Sequence, residues 1–194
     1  MKKACFGVFA AAAMVVLCAA VVQAGGERVS LFNGKDLSGW TVLKCQAAVD
    51  GGDILLQDGN GLVQSEKMYG DFVLEYEWKA LAADNWDSGV YFRYDKVPAG
   101  KPWPPRYQVN LRKGLEGNVE GIDGASSEGL TKPGEWNSFK LTVKGKAMEL
   151  QINGKDAWKA EGLAGPEKGY ISLQAEVPNG GQFRFRNIFI TELK

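Results

Sequence analysis

Apolar and polar side chains alternate at every second position along most of the chain. The clearest run sets Phe72, Leu74, Tyr76 and Trp78 against Val73, Glu75, Glu77 and Lys79. A period of two is that of a β-strand with one face turned towards a core. The pattern recurs in residues 90–93, 107–112, 139–143, 148–152, 171–176 and 182–193. The spacing predicts about ten strands in all.

Turn-forming residues separate these runs. Asn153-Gly154 predicts a tight hairpin turn, and the change of phase at Arg186-Asn187 predicts a β-bulge. After the first two dozen residues, no long stretch has the period of a helix. The irregular segments 80–87, 95–105 and 114–133 are expected to be loops that border a site.

Strands with one apolar face each must bury that face against another layer. The pattern therefore predicts an all-β fold, a two-sheet antiparallel jelly-roll sandwich. Residues 25–194 have the length of one domain, and we expect them to form that single domain.

The first 24 residues have the character of an export signal. Lys2 and Lys3 precede an apolar stretch, residues 6–22, and Val22-Gln23-Ala24 resembles a small-residue cleavage site. This order predicts a secretory signal peptide over residues 1–24, with a retained membrane anchor as the alternative. The mature protein would then be periplasmic or extracellular, since both compartments lie beyond the same signal.

Composition narrows the possible chemistry. Removing the signal leaves 21 basic and 23 acidic residues, a formal charge of −2, which argues against nucleic acid or a membrane surface as partner. The chain has no histidine, which excludes Ser-His and Cys-His couples and histidine-bound zinc. Carboxylates, Lys or Tyr would have to move protons. We expect no cofactor, no metal and a buried, inert Cys45, whereas the oligomeric state stays open.

Several polar side chains fall on the strand faces opposite the predicted core. They are Glu75, Glu77, Tyr91, Arg93, Gln108, Asn110, Arg112, Ser172, Gln174 and Glu176. Such donors and acceptors, with Trp86 and Trp103 in nearby loops, suit a saccharide ligand. The alternative is that these faces are polar only for solubility.

The segment Leu31 to Trp40, LFNGKDLSGW, resembles the opening signature of the 3-keto-disaccharide hydrolase domain family. Further similar segments follow in the same order over essentially the whole predicted mature chain: Tyr69-Gly70-Asp71-Phe72, Asp87-Ser88-Gly89-Val90 with Arg93, Lys132 to Asn137, and Phe185-Arg186-Asn187-Ile188. The resemblance implies a concanavalin-like jelly roll that acts on glycosides with a ketone at C3. A C3 carbonyl acidifies the C2 proton, so that a base and a nearby cation can expel the C1 substituent, after which water adds.

The resemblance assigns roles to residues of this chain as a hypothesis. Glu75 or Glu77 would be the base and Arg93 the oxyanion stabiliser. The substrate-binding residues would be Gln108, Asn110, Gln174, Tyr91, Glu176, Trp103 and Asp87. Asp87 stands where the family often has Asn, and Gln108-Val109-Asn110 where it often has Glu-x-Gln.

Three functions fit this sequence. The first is an exported enzyme that hydrolyses, or eliminates and hydrates, 3-keto-glycosides. The second is a non-catalytic carbohydrate-binding module, and the third is a structural or adhesive surface domain.

Overall fold

A computed structural model describes residues 25–194, and within this range it has eleven β-strands and no helix, hence none that could span a bilayer. The predicted signal peptide, residues 1–24, lies outside the described residues. The strands are β1 (Gly25–Ser30), β2 (Trp40–Asp50), β3 (Asp53–Ser65), β4 (Phe72–Ala80), β5 (Gly89–Tyr94), β6 (Gln108–Asn110), β7 (Asn137–Lys144), β8 (Ala147–Ile152), β9 (Lys155–Glu161), β10 (Tyr170–Val177) and β11 (Phe183–Leu193).

The strands form one continuous antiparallel sheet in the order β6-β5-β10-β3-β11-β4-β7-β8-β9, with β1 paired to β11 and β2 to β3. Strand β3 connects the two parts of this sheet, because it pairs with different strands along its length. Its residues 54–56 pair with β11, whereas residues 59–64 pair with β10. The sheet curls over a main core, which confirms an all-β antiparallel fold. The division into two separate sheets stays a prediction.

The predicted alternation produces the core. On β4, Phe72, Leu74, Tyr76 and Trp78 are all buried. The Trp78 ring lies 5.6 Å from Phe139 of β7 and 5.9 Å from Phe183 of β11, between ring centroids. Apolar residues of β5 and β10 join the same cluster. Each such side chain stabilises the fold by roughly 1.5–3 kcal/mol through burial.

Two predicted irregularities are present. Asn153 and Gly154 both adopt left-handed backbone angles, φ 52° and 77°, and connect β8 directly to β9. In β11, the register against β4 shifts between Arg186 and Phe189, and Asn187 has φ 50°. The predicted hairpin turn and the predicted bulge are therefore confirmed.

A third irregularity, in β5, was not predicted. Tyr94 pairs with Tyr170 and Tyr91 with Ser172, so three steps along β5 match two along β10. Arg93 has a left-handed φ of 55°. This bulge puts Tyr91 and Tyr94 on one side of the sheet and turns Arg93 away from it.

The family-like segment Leu31 to Trp40 forms a hydrogen-bonded turn between β1 and β2. Asn33 Oδ1 accepts bonds from the backbone N–H groups of Lys35 and Asp36, and Asp36 Oδ1 accepts from Asn33 Nδ2 and Ser38 N–H. Trp40 Nε1 donates to the Leu31 carbonyl at 2.6 Å. The hydrogen bonds from Ser38 and Asn33 lower the pKa of Asp36 to about 2. The segment thus has a structural role.

Candidate functional site

One side of the sheet, turned away from the main core, gathers most of the predicted binding residues. We call it the site face. It is formed by outward side chains of β3, β5, β6 and β10: Leu62, Gln64, Tyr91, Tyr94, Gln108, Asn110, Ser172, Gln174 and Glu176. Strand pairing sets this arrangement, because Tyr91 lies opposite both Gln108 and Ser172.

Two glutamine amides on the site face form a chain that ends at a carboxylate. Gln108 Nε2 donates to Gln174 Oε1, and Gln174 Nε2 donates to Glu176 Oε2 at 3.0 Å. Gly89 provides the room for this chain, because a Cβ there would collide with the Gln108 amide. The chain fixes the orientation of the Glu176 carboxylate.

Glu176 also lines an open cleft of about 630 Å³, which we call the carboxylate cleft. Its lining residues are Asp84, Asn85, Trp86, Asp87, Arg112, Lys113, Glu176 and Asn179. The cleft lies where β6 and β10 end and β5 begins. Arg112 Nε is 3.7 Å from Asp87 Oδ2, and Lys113 forms an ion pair with Asp84. Charges of both signs therefore border the cleft.

The two central carboxyl groups of the cleft are harder to ionise than ordinary ones. Burial raises the pKa of Glu176, the charge of Asp87 raises it further, and Arg112 acts in the opposite direction. Burial also raises the pKa of Asp87, again opposed by Arg112. Carboxyl groups with raised pKa beside a guanidinium are suited to accept and return protons.

Tyr91 belongs to an aromatic cluster on the site face. Its pKa is raised by burial first and then by the charges of Glu176 and Asp87, so the hydroxyl keeps its proton. Its ring packs with Leu62 and Tyr94 in a cluster that also contacts Leu43, Val97, Trp103 and Tyr170. Trp103 therefore belongs to this cluster, next to the cleft rather than in its lining.

Glu75 and Glu77 lie elsewhere, so the prediction that they share a surface with Gln108 and Gln174 is wrong. Their strand, β4, is separated from β5 in the sheet by β10, β3 and β11. Because the sheet curls over the core, the outward side of β4 belongs to a different surface. There Arg28 Nε donates to Glu75 at 2.6 Å, and Arg186 Nε donates to Glu77 at 2.7 Å.

Arg93 is also separate from the site face, and its predicted place beside the other site residues is wrong. The β5 bulge directs it to Gly70, whose carbonyl accepts from Nε at 3.0 Å, and to Asp71, whose Oδ1 accepts from Nη2 at 2.7 Å. Only 8% of Arg93 is exposed. It lines another pocket, with Lys146 and Lys168.

Asn110 lies on the site face, but its side-chain oxygen has a structural partner. Asn110 Oδ1 accepts a hydrogen bond of 2.6 Å from the backbone N–H of Arg112. Asn110 therefore shapes the turn that carries Arg112 into the cleft. Within residues 25–194, no group of three or more His, Cys, Asp or Glu side chains is arranged to hold a metal ion.

A family model described as the 3-keto-alpha-glucoside-1,2-lyase-like domain matches residues 27–191. The chain belongs to this family. The matched range includes every strand from β2 to β10 and the whole carboxylate cleft. No curated protein sequence shows significant similarity to the chain.

Solved structures share the fold of this lyase-like domain. A putative glycosyl hydrolase from Parabacteroides distasonis has a TM-score of 0.69 at 19% identity, over 87% of this chain and 100% of its own. A second putative glycosyl hydrolase from that organism has a TM-score of 0.66 at 21% identity, over 86% of this chain and 94% of its own. Carbohydrate-binding module CBM66 from Bacillus subtilis has a TM-score of 0.60 at 16% identity, over 77% of this chain and 93% of its own. At these identities the likeness shows a jelly-roll-like fold.

Sequence reasoning missed part of the cleft of this lyase-like domain. The alternation puts Arg112 on a polar strand face without giving it a role, and it does not point to Asp84, Lys113 or Asn179. A signal was available, because Asp84 and Asp87 flank Trp86 in a segment expected to border a site. The segments that carry Asp84, Asp87, Arg112 and Lys113 meet at the end of β10 because of the strand order. The two-residue alternation does not predict that order.

Proposed function

We propose that this protein cleaves glycosides whose sugar ring carries a ketone at C3, by elimination in the carboxylate cleft. One observation carries the proposal: Glu176 and Asp87, two carboxyl groups with raised pKa, lie beside Arg112 in a cleft. Membership of the 3-keto-alpha-glucoside-1,2-lyase-like family supports a carbohydrate-related function and this substrate class.

The proposed reaction begins at C2, whose proton is acidified by the neighbouring ketone. The Glu176 carboxylate removes this proton, and the electron pair moves onto the C3 oxygen as an enolate. The Arg112 guanidinium stabilises the negative charge. The enolate then collapses, the C1–C2 double bond forms and the C1–O bond breaks. A water molecule in the open cleft gives a proton to the departing oxygen and becomes hydroxide.

Hydration completes net hydrolysis and restores the Glu176 carboxylate. Hydroxide adds to C1, and Glu176, whose proton exchanges with solvent in the open cleft, delivers a proton to C2. In this scheme Gln174 and Gln108 are positioning residues that hold the Glu176 carboxylate. A carboxylate thus carries the proton transfer at C2 in a chain without histidine.

The experiment is incubation of the purified protein with 3-keto-trehalose in D₂O, followed by NMR. Elimination and hydration introduce deuterium at C2 of the released keto sugar, above the exchange in an enzyme-free control. Direct hydrolysis would release the same sugar with C2–H intact, and that result would exclude the proposed route. Arg112→Met should lower turnover by about 100-fold, the scale of one lost oxyanion donor.

A second candidate is a non-catalytic carbohydrate-binding module. The exposure of Arg112 favours it, because a side chain that is 62% exposed stabilises developing charge less than a buried one. Saturable binding of trehalose or 3-keto-trehalose, with no product after prolonged incubation, would select this function over catalysis.

The cellular location is part of the proposal. We infer from the sequence of residues 1–24 that the protein is exported and that this segment is removed after Ala24. The N-terminal sequence of protein recovered from the periplasm or medium should then begin at Gly25. A full-length chain in the membrane fraction would instead indicate a retained anchor.

A further inference from the structure

A second pocket lies at the end of the fold opposite the carboxylate cleft. The cleft lies beside Asp87, before β5, and Glu176, near the end of β10. The second pocket contains Arg93, near the end of β5, and Lys168, just before β10. Arg93 follows Asp87 by six positions, which is about 20 Å of extended chain. We call this pocket of about 740 Å³ the arginine pocket, and its charged lining residues are Asp71, Arg93, Lys146, Glu167 and Lys168.

The Arg93 guanidinium has unused hydrogen-bonding capacity in this pocket. One of its five N–H groups, on Nε, donates to the Gly70 carbonyl, and another, on Nη2, donates to Asp71. Within residues 25–194, no group accepts a hydrogen bond from Nη1. The side-chain atoms of this range that are enclosed without any partner belong to Tyr76, Trp78 and Trp86. Nη1 of Arg93 is therefore not sealed in the core but contacts the space of the pocket.

Backbone contacts hold Lys146 at this pocket. Asp71 Oδ1, which already accepts from Arg93, also accepts from the Gly145 N–H at 2.9 Å. This bond fixes the turn between β7 and β8, in which Lys146 follows Gly145. The Lys146 carbonyl in turn accepts from the Leu163 N–H at 3.2 Å. The position of Lys146 thus depends on the same carboxylate that orients Arg93.

Lys168 is positioned in a similar way. Tyr69 and Gly169 exchange two backbone hydrogen bonds, of 2.8 and 3.0 Å, which align the segment before β10 with the segment before β4. A Cβ on Gly70 would lie 3.4 Å from Lys168 Cγ, so the stem of Lys168 passes directly over this glycine. Gly70 is also the residue whose carbonyl holds Arg93. Three cationic side chains are therefore brought together by one small set of contacts.

We propose that the arginine pocket binds the carboxylate group of a small organic ligand. Three cationic and two acidic side chains line the pocket, which gives a charge of 3 − 2 = +1. One carboxylate neutralises this charge, whereas a phosphate dianion would leave a surplus of −1. The unused edge of a guanidinium also matches the planar shape of a carboxylate. Because Arg93 is only 8% exposed, its charge is screened less by water than that of a surface arginine.

The rest of the lining suits the carbon skeleton of such a ligand. Leu163, Ala164 and Leu193 add apolar groups beside the charged ones. The volume of about 740 Å³ is that of an ordinary small-molecule site. Two sources supply this chemistry, a free organic acid and the uronic acid unit of a saccharide. The inference goes beyond the proposed function, since no reaction at the carboxylate cleft is needed for it.

The test is an NMR titration of the ¹⁵N-labelled protein at pH 7 and constant ionic strength. The probes are propanoate, glucuronate, inorganic phosphate and neutral glucose. We expect saturable shifts of the backbone amide signals of Gly145 and Gly165, with a Kd below about 10 mM for at least one carboxylate. Phosphate and glucose should bind at least about tenfold more weakly than that carboxylate. Tighter binding of glucuronate identifies a saccharide acid as the source, and tighter binding of propanoate identifies a free organic acid.

Three results of this titration would overturn the inference. The first is that neither carboxylate gives saturable shifts at the arginine pocket. The second is that the shifts are confined to residues of the carboxylate cleft. The third is that phosphate binds as tightly as the better carboxylate. None of these results affects the proposed function, because the titration involves no turnover.

Variants then assign the binding to the cationic side chains. Arg93→Lys keeps the charge but removes the unused guanidinium edge, so affinity for the better carboxylate should fall by about tenfold or more. Lys146→Gln combined with Lys168→Gln changes two exposed positions and should lower affinity by about fivefold. The matched control is Lys155→Gln, which removes an exposed lysine on β9 and should leave affinity within about twofold of wild type. If Arg93→Lys does not fold, the double lysine variant decides alone. Unchanged affinity in the folded variants would overturn the inference.

Discussion

Gln174 donates a hydrogen bond of 3.0 Å to Glu176, which lies two residues further along β10 on the same side of the sheet. The bond links a buried amide to a carboxylate that lines an open cleft. Gln108 donates in turn to Gln174, so the orientation of Glu176 depends on two strands. The reactive group of the proposed site is thus positioned by the sheet itself.

Replacing Gln174 by Leu should impair catalysis through Glu176. The change removes the donor to Glu176 and the acceptor of Gln108, and we expect kcat to fall by about tenfold with a smaller effect on KM. Leaving the Gln108 amide without its acceptor should cost about 1–3 kcal/mol of stability. Kinetics and denaturant unfolding measure both effects. The control is Gln57→Leu, at an exposed position of β3, and an equal loss of kcat there would contradict the positioning role.

Replacing Glu176 by Gln should stabilise the protein at pH 7. The pKa of Glu176 is raised above 4.5 in the folded state, so the folded state binds more protons than the unfolded state. Its contribution to stability is therefore present below pH 4.5 and is lost as pH rises through the folded pKa. The neutral amide avoids this loss. Thermal unfolding should show a higher midpoint for Glu176→Gln at pH 7 and convergence below pH 4.5.

The raised pKa of Glu176 also predicts the pH dependence of the reaction. Glu176 must be ionised to remove the C2 proton, so kcat/KM should decline on the acid side at a pH above 4.5, the ordinary value for Glu. A pH profile with 3-keto-trehalose measures this limb. A limb at or below pH 4.5 would show that Glu176 is not the base.

The sequence was sufficient for much of the fold because side-chain alternation reports burial directly. On β4 every second residue is buried, as the period predicts, and Asn153-Gly154 forms the expected turn. The alternation does not identify strands β2 and β3 individually. Register shifts in their pairing near Lys44 and Gln46 interrupt the alternation that would have revealed β2.

The site could be predicted only in part, because a period of two says nothing about which strands become neighbours. Tyr91, Gln108, Gln174 and Glu176 do share a face, since their strands are adjacent. Glu77 obeys the same period, yet its strand lies in the part of the sheet on the other side of the core. Arg93 lies at a bulge that interrupts the two-residue alternation, and no turn-forming residue in the sequence predicts that bulge.

Arg93→Ala should affect stability rather than catalysis. Arg93 is buried and paired with Asp71, which is itself partly exposed, and breaking the pair should cost about 2 kcal/mol. Turnover per folded molecule should be unchanged. Arg28→Ala, which breaks the exposed pair with Glu75, should cost at most about 1 kcal/mol and serves as the control. A large loss of kcat in folded Arg93→Ala would show that Arg93 takes part in catalysis.

Asp36→Asn should weaken the opening turn in a pH-dependent way. Because hydrogen bonds from Ser38 and Asn33 lower the pKa of Asp36 to about 2, its contribution is present above the ordinary value of 3.8 and is lost as pH falls towards 2. The variant should unfold at a lower temperature than wild type at pH 7, and the difference should shrink near pH 2. A difference independent of pH would contradict this origin.

The central claim is that the reaction takes place beside Glu176 and not beside Glu77. The most direct measurement is the turnover of 3-keto-trehalose by Glu176→Gln and Glu77→Gln, which make the same chemical change on two different surfaces. We predict a loss of about 100-fold or more in kcat for Glu176→Gln and activity within about twofold of wild type for Glu77→Gln. The reverse order, or an equal loss in both variants, would contradict the account.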